Sequence, residues 1–178
     1  MCTVLAYFGT DLSREEFESY LARTQERGPD DSKTVALPQG GFLGFQRLAI
    51  MGLSPEGMQP FQLGNSWAIC SGELYGFRRM KQELEEKGYS FQSGSDCELI
   101  LPMYREYGTD LFRRLDAEFA CVIYDGETNS VIAARDPIGI RPLFYGYSAS
   151  GGFAVASEAP SLVGWVEKIR PFPPGCYW

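Results

Sequence analysis

The chain begins Met1-Cys2-Thr3 and holds no histidine in its 178 residues, and together these facts restrict the chemistry it can do. Without imidazole, Ser-His-Asp and Cys-His catalysis are impossible within the chain, and the commonest metal ligand is missing. Carboxylates, lysines, tyrosines, thiols and the α-amine remain. Of these, only the amine has an unperturbed pKa near neutrality, about 7.7–8.0. Removing Met1 would place that amine on Cys2, joining a thiol nucleophile and a near-neutral base in one residue. Such a residue also needs an oxyanion hole, groups that hold the substrate, and a rigid strand to carry it. The alternative is that position two holds a small residue of no chemical importance.

The elements that would position Cys2 are legible from periodicity. Residues 2–8 read as a buried strand, and 12–26 as an amphipathic helix with apolar positions Leu12, Phe17, Tyr20 and Leu21, stopped by RGPDD at 27–31. TVALPQGGFLGFQRLAIM reads as two short strands around a Gln39-Gly40-Gly41 turn. Residues 66–76 are a strand entering a turn, followed by the helix FRRMKQELEEKG closed by Gly88. SGSDCELILPMYREYG is a helix started by serine and aspartate and closed by Gly108, with Pro102 expected to shift or kink it. EFACVIYDGETNSVIAARD and PLFYGYSASGGFAVASE are two hairpins. Runs such as FACVIY lack strict alternation, so their strands are covered on both faces. At least six strands and about three helices then call for two packed sheets with helices outside.

Composition narrows the classes. A chain 44% hydrophobic and 14% aromatic, with no polar linker, reads as one domain over residues 1–178. A net charge of −7 without any Lys/Arg-rich run argues against nucleic acid and anionic membrane surfaces as partners. MCTVLAYF lacks a basic flank and is quickly interrupted by Gly9, Asp11 and Glu15, which excludes a signal peptide or spanning helix there and leads to a cytoplasmic expectation. Five cysteines with no CxxC read as reduced thiols; Cys70, Cys97, Cys121 and Cys176 lie among apolar residues and are expected in the core.

Ten stretches, in order, resemble the glutaminase domain of class II glutamine amidotransferases, specifically that of glutamine-dependent asparagine synthetases. They are MC at the start, RGPDD at 27–31, GFQRLAIM at 44–51, GMQPF at 57–61, SGELYGF at 71–77, GSDCELI at 94–100, LDAEFACVIYD at 115–125, AARDPIGIRPLFYG at 133–146, VASE at 155–158 and FPPGCYW at 172–178. The resemblance implies an α+β fold, the four-layer αββα sandwich of two mostly antiparallel sheets found in N-terminal-nucleophile hydrolases. It also implies hydrolysis of glutamine to glutamate and ammonia through a γ-glutamyl thioester on Cys2. Arg47 matches the residue that grips the α-carboxylate, Glu73 and Asp96 match those that fix the α-ammonium, and Gly72 matches the backbone half of the oxyanion hole. A cation and two anions suit a zwitterion. The family's usual triplet is Asn-Gly-Glu; here it is Ser71-Gly72-Glu73, so the second oxyanion donor would be a shorter hydroxyl, with slower turnover.

Three alternatives stay open beside the residue roles. Asp96 could be no more than a helix N-cap, RGPDD could be a helix stop or part of the pocket wall, and Asp136 reads as structural, fixing the turn before Pro137. In the family an ATP-dependent synthetase domain follows, which receives the ammonia; it is absent from this chain, which has no SGGxDS-type phosphate loop. No cofactor is therefore expected in this domain, ATP and Mg belonging to the synthetase domain. The implied partners are glutamine and an ammonia-accepting synthetase domain or subunit, with a homodimer left open. The rival reading is a non-catalytic relative that serves as a structural or docking module. A different N-terminal-nucleophile activity, acylase or peptidase, suits Arg47 and the acidic pair less well.

Overall fold

The structure is a computed structural model that describes residues 1–178. One sheet has six strands in the order β10-β8-β9-β1-β3-β2, the second has four in the order β4-β5-β6-β7, and every pairing is antiparallel. The first is built from β1 (Thr3–Phe8), β2 (Asp31–Ala36), β3 (Phe42–Arg47), β8 (Phe144–Tyr147), β9 (Phe153–Ala156) and β10 (Arg170–Pro171). The second is built from β4 (Phe61–Leu63), β5 (Ser66–Leu74), β6 (Ala117–Asp125) and β7 (Ser130–Arg135). Four helices accompany them: α1 (Arg14–Ala22), α2 (Phe77–Glu86), α3 (Ile100–Tyr107) and α4 (Leu111–Arg114).

The side-chain alternation of the strands sorts the core into layers. Val4 and Ala6 of β1, Leu43 and Phe45 of β3, Ile69 of β5, and Ala120, Val122 and Tyr124 of β6 meet between the sheets. The opposite face of β1, with Leu5 and Tyr7, packs on Phe17 and Leu21 of α1. The opposite faces of β5 and β6, with Ala68, Cys70, Phe119, Cys121 and Ile123, pack on Leu84 of α2 and on Ile100, Leu101 and Met103 of α3. FACVIY therefore lacks alternation because both its faces are buried, and the layer order is helix, sheet, sheet, helix. The three core cysteines belong to the outer layer, where the contact with Cys70 and then burial raise the thiol pKa of Cys97, and burial raises that of Cys121.

Local chemistry sets the element ends. α1 starts at Ser13, whose hydroxyl accepts from Glu16 N–H at 3.2 Å while the Glu16 carboxylate accepts from Ser13 N–H at 2.9 Å. This reciprocal cap sets the start of the helix expected over 12–26 at Arg14; the helix ends at Ala22, and a separate 3-10 turn covers Gln25–Arg27. The segment 96–107 is likewise not one helix. A 3-10 turn at Asp96–Leu99 precedes α3, so Pro102 is the third helical residue, where its missing N–H has no intrahelical partner to lose. The β2–β3 turn needs glycine at 41, where φ is +94° and a Cβ would lie 2.0 Å from Tyr7 O. No helix is long and apolar enough to cross a membrane.

Candidate active site

β1 carries Cys2 at its start, at the end of a strand in the middle of the six-stranded sheet. The Cys2 carbonyl accepts two hydrogen bonds, from Arg27 Nε at 3.0 Å and from Ser71 Oγ at 3.0 Å. Its thiol lies against Leu48, donating to the Leu48 carbonyl at 3.5 Å as a thiol, with the Leu48 N–H 3.4 Å from Sγ, placed to donate to a thiolate. Cys2 opens onto a cavity of about 120 Å3 whose lining includes Arg47, Ser71, Gly72, Glu73 and Asp96, so all six residues singled out in the sequence meet in one place. Met1 is part of that lining. Its ammonium donates to Arg27 O at 3.0 Å, and burial, then the Arg27 charge, hold the amine below its ordinary value.

The six residues differ in how they are held. Arg47, at the end of β3, is 7% exposed. Its guanidinium donates to Ser54 O at 3.0 Å and to Gly52 O, shaping the loop 48–54 over the cavity and leaving three of its five N–H donors for a ligand. Asp96 is 4% exposed and accepts from Leu74 N–H at 2.6 Å, so it braces β5; Ser95, not Asp96, stands at the cap position of the following turn. Glu73 is exposed at the rim. Directly across the ladder from it is Glu118, whose charge is taken by Arg141 at 2.6 Å. Glu73 is therefore the carboxylate of that pair left free for a cationic group.

The edge of β5 explains Gly72. Tyr75 N–H bonds to Asp116 O on the β6 side, so the N–H groups of residues 74, 72 and 70 point the opposite way, past the end of β4. Leu74 N–H is taken by Asp96. Both Cys70 backbone groups are taken by the Gln59 side chain, Cys70 N–H donating to Oε1 at 2.6 Å and Nε2 donating to Cys70 O at 3.0 Å. Between them the Gly72 N–H faces the open edge beside the cavity, where a donor to an oxyanion belongs. A Cβ on Gly72 would lie 2.5 Å from Glu118 O, so the strand packs there only as glycine.

The sequence reading named these six residues, which the fold brings to one cavity, and did not name those that hold them. Gln59 and Arg141 lie inside the quoted stretches GMQPF and RDPIGIRPL but carry no local signal, because their partners are 11 and 23 residues away. RGPDD is neither a simple stop nor a lining segment. Arg27 fixes the Cys2 carbonyl, and Asp30 accepts from Ala49 N–H at 2.7 Å, so the stretch braces the site from behind. Asp136 is structural, its carboxylate accepting from the N–H groups of Phe119, Ile138, Gly139, Ile140 and Arg141.

Two face-to-face antiparallel sheets with helices outside define an α+β protein with the four-layer αββα fold of N-terminal-nucleophile hydrolases, and a cysteine at the head of a central strand opens on its cavity. Residues 1–171 match the family model described as a glutamine amidotransferase domain, and the chain belongs to that family. It is similar to a probable glutamine-hydrolyzing asparagine synthetase of Acanthamoeba polyphaga mimivirus, 37% identical over 96% of this chain and 33% of the relative. It is also similar to asparagine synthetase B of Escherichia coli K12, 35% identical over 99% of this chain and 32% of the relative. The chain thus spans about a third of the length of these curated relatives. Its fold is similar to that of a glutamine phosphoribosylpyrophosphate amidotransferase from B. subtilis, with a TM-score of 0.83 at 24% identity over 99% of this chain and 46% of that one.

Proposed function

We propose that this domain hydrolyses glutamine to glutamate and ammonia through a γ-glutamyl thioester on Cys2, and that the ammonia serves asparagine synthesis. The observation that carries the reading is the convergence of the Cys2 thiol, one buried arginine, two carboxylates and the Gly72 N–H on one cavity. Arg47 receives the α-carboxylate, Glu73 and Asp96 receive the α-ammonium, and the side-chain amide is directed at Sγ. With Met1 removed, the free amine of Cys2 takes the thiol proton as sulfur attacks the amide carbon. The oxyanion that forms is met by the Gly72 N–H, and its collapse expels ammonia, which takes the proton back from the amine. Water, deprotonated by the same amine, then attacks the thioester to release glutamate and restore the thiol.

No step at Cys2 needs a cofactor. We place ATP and Mg2+, together with the ammonia acceptor, in the further length that the relatives possess. The test is ammonia release from glutamine by protein whose Met1 removal has been verified by intact mass, with Cys2→Ser as the control. Glutamine-dependent ammonia that disappears in the control is expected. Bound glutamine without ammonia would favour the docking-module reading.

A further inference from the structure

Apart from the Leu48 N–H, which faces Cys2 Sγ, the cavity has one backbone donor for an oxyanion, the Gly72 N–H, and the side chain expected to supply a second is occupied elsewhere. Ser71 lies on the face of β5 that looks between the sheets, and its hydroxyl donates to the Cys2 carbonyl at 3.0 Å. A hydroxyl has one hydrogen, so while that bond stands Ser71 holds the nucleophile's backbone and has none for the substrate.

Gln59 fills the gap. It is 4% exposed, lines the same cavity as Cys2 and Gly72, and its carboxamide is fixed at both ends by Cys70. Oε1 accepts from Cys70 N–H and Nε2 donates to Cys70 O, which orders the amide along the strand with its oxygen toward Ile69 and its nitrogen toward Gly72. A primary amide carries two hydrogens on nitrogen. The one on the oxygen's side closes the ring with Cys70, and the other projects along the strand toward Gly72. That hydrogen has no protein acceptor, and it stands beside the only edge N–H of β5 that Gln59 and Asp96 leave free.

We propose that Gln59 is a catalytic residue whose free Nε2–H is the second oxyanion donor, paired with the Gly72 N–H, while Ser71 positions Cys2. The assignment rests on the glutaminase reading above. It differs from a purely structural role for Gln59 because Gln59→Glu keeps the acceptor for Cys70 N–H and nearly the same shape, yet removes both Nε2 donors.

The test uses the Met1-processed chain and its Gln59→Glu, Gln59→Met and Ser71→Ala variants. Each is measured for glutamine turnover, for binding of glutamate, and for inhibition by the aldehyde analogue of glutamine, which adds to Cys2 Sγ across its C=O bond to give a thiohemiacetal whose oxygen occupies the hole. Gln59→Glu should lower kcat about 10²–10³-fold with KM and glutamate affinity within about three-fold, and weaken the aldehyde by a similar factor. Ser71→Ala, which releases the Cys2 carbonyl but removes no oxyanion donor, should weaken the aldehyde clearly less than Gln59→Glu does. Gln59→Glu with kcat within three-fold of the parent overturns the assignment, as does a 100-fold loss of aldehyde affinity in Ser71→Ala. Should Gln59→Glu fail to fold, Gln59→Met and Ser71→Ala decide by the same limits. A parent chain that releases no ammonia defeats the glutaminase reading itself, whereas an active parent with an unaffected Gln59→Glu defeats only this assignment.

Discussion

At the scale of single residues, the site is a set of groups whose free valences matter as much as their identities. Arg47 already donates to Ser54 O and Gly52 O, so it reaches a ligand as a rigid fork, its side chain ordered before binding. Arg47→Ala should raise the KM for glutamine by about ten-fold or more, matching the roughly 1.5–3 kcal/mol of a charged hydrogen bond, and it should also loosen the loop 48–54. Asp96→Ala should act in the same direction from the ammonium side, with an added stability loss because the buried Leu74 N–H loses its partner. Steady-state kinetics with thermal melts separates the two effects. Processing is a second residue-scale prediction. Protein retaining Met1 should be inactive, since Cys2 nitrogen is then an amide and Met1 lines the cavity. In the processed form, kcat/KM should rise with pH as the Cys2 amine loses its proton, a loss favoured by the Arg27 guanidinium that donates to the Cys2 carbonyl at 3.0 Å. Equal rates from both forms would exclude the amine as base.

At the scale of elements, the turn after β7 holds β6, β7 and Arg141 in register through one carboxylate. Burial alone would disfavour charge on Asp136, but the N–H groups of Arg141, Ile140, Gly139 and Ile138 outweigh it and hold the carboxyl below its ordinary value. A depressed folded-state pKa means stability that is fully present above the unfolded value near 3.9 and is lost as pH falls through the folded value. The chain should therefore lose part of its stability on acidification below about pH 4. Asp136→Asn should be less stable at neutral pH and show a flatter acid limb in denaturant titrations at stepped pH. Asp136→Ala leaves the buried Phe119 N–H and the partly buried N–H groups of the turn without their shared acceptor and should cost about 1–3 kcal/mol. A variant as stable as the parent at pH 7 would show that the turn is held by its other contacts.

At the scale of the whole molecule, the C-terminal residues complete the small sheet. Trp178 exchanges two hydrogen bonds of 2.9 Å with Ala133 of β7, and Arg135 N–H donates to Cys176 O at 3.1 Å. The Trp178 ring lies 4.5 Å from that of Tyr145 and 4.7 Å from that of Phe172, so the segment joins the two sheets at one end of the sandwich. Deleting residues 176–178 should cost about 2–4 kcal/mol from the three backbone bonds alone, lowering Tm by roughly 5–15 °C. An unchanged melt would mean that the segment rests on the sheets without stabilising them.

The amino-acid sequence by itself determined the strand and helix pattern and the two-sheet class, because periodicity, caps and turn residues act over short range, whereas the six candidate site residues came from the resemblance of its motifs to the family. It also determined, through the missing histidine and the early Cys2, which base such a nucleophile would use. Only the tertiary structure decided what each polar group is bonded to. That Ser71 faces Cys2 O, that Asp96 holds Leu74 and that Arg141 neutralises Glu118 depends on pairings between segments 69, 22 and 23 residues apart. Which hydrogen of a donor stays free is settled by every neighbour that accepts from it, and those neighbours exist only once the two sheets have met.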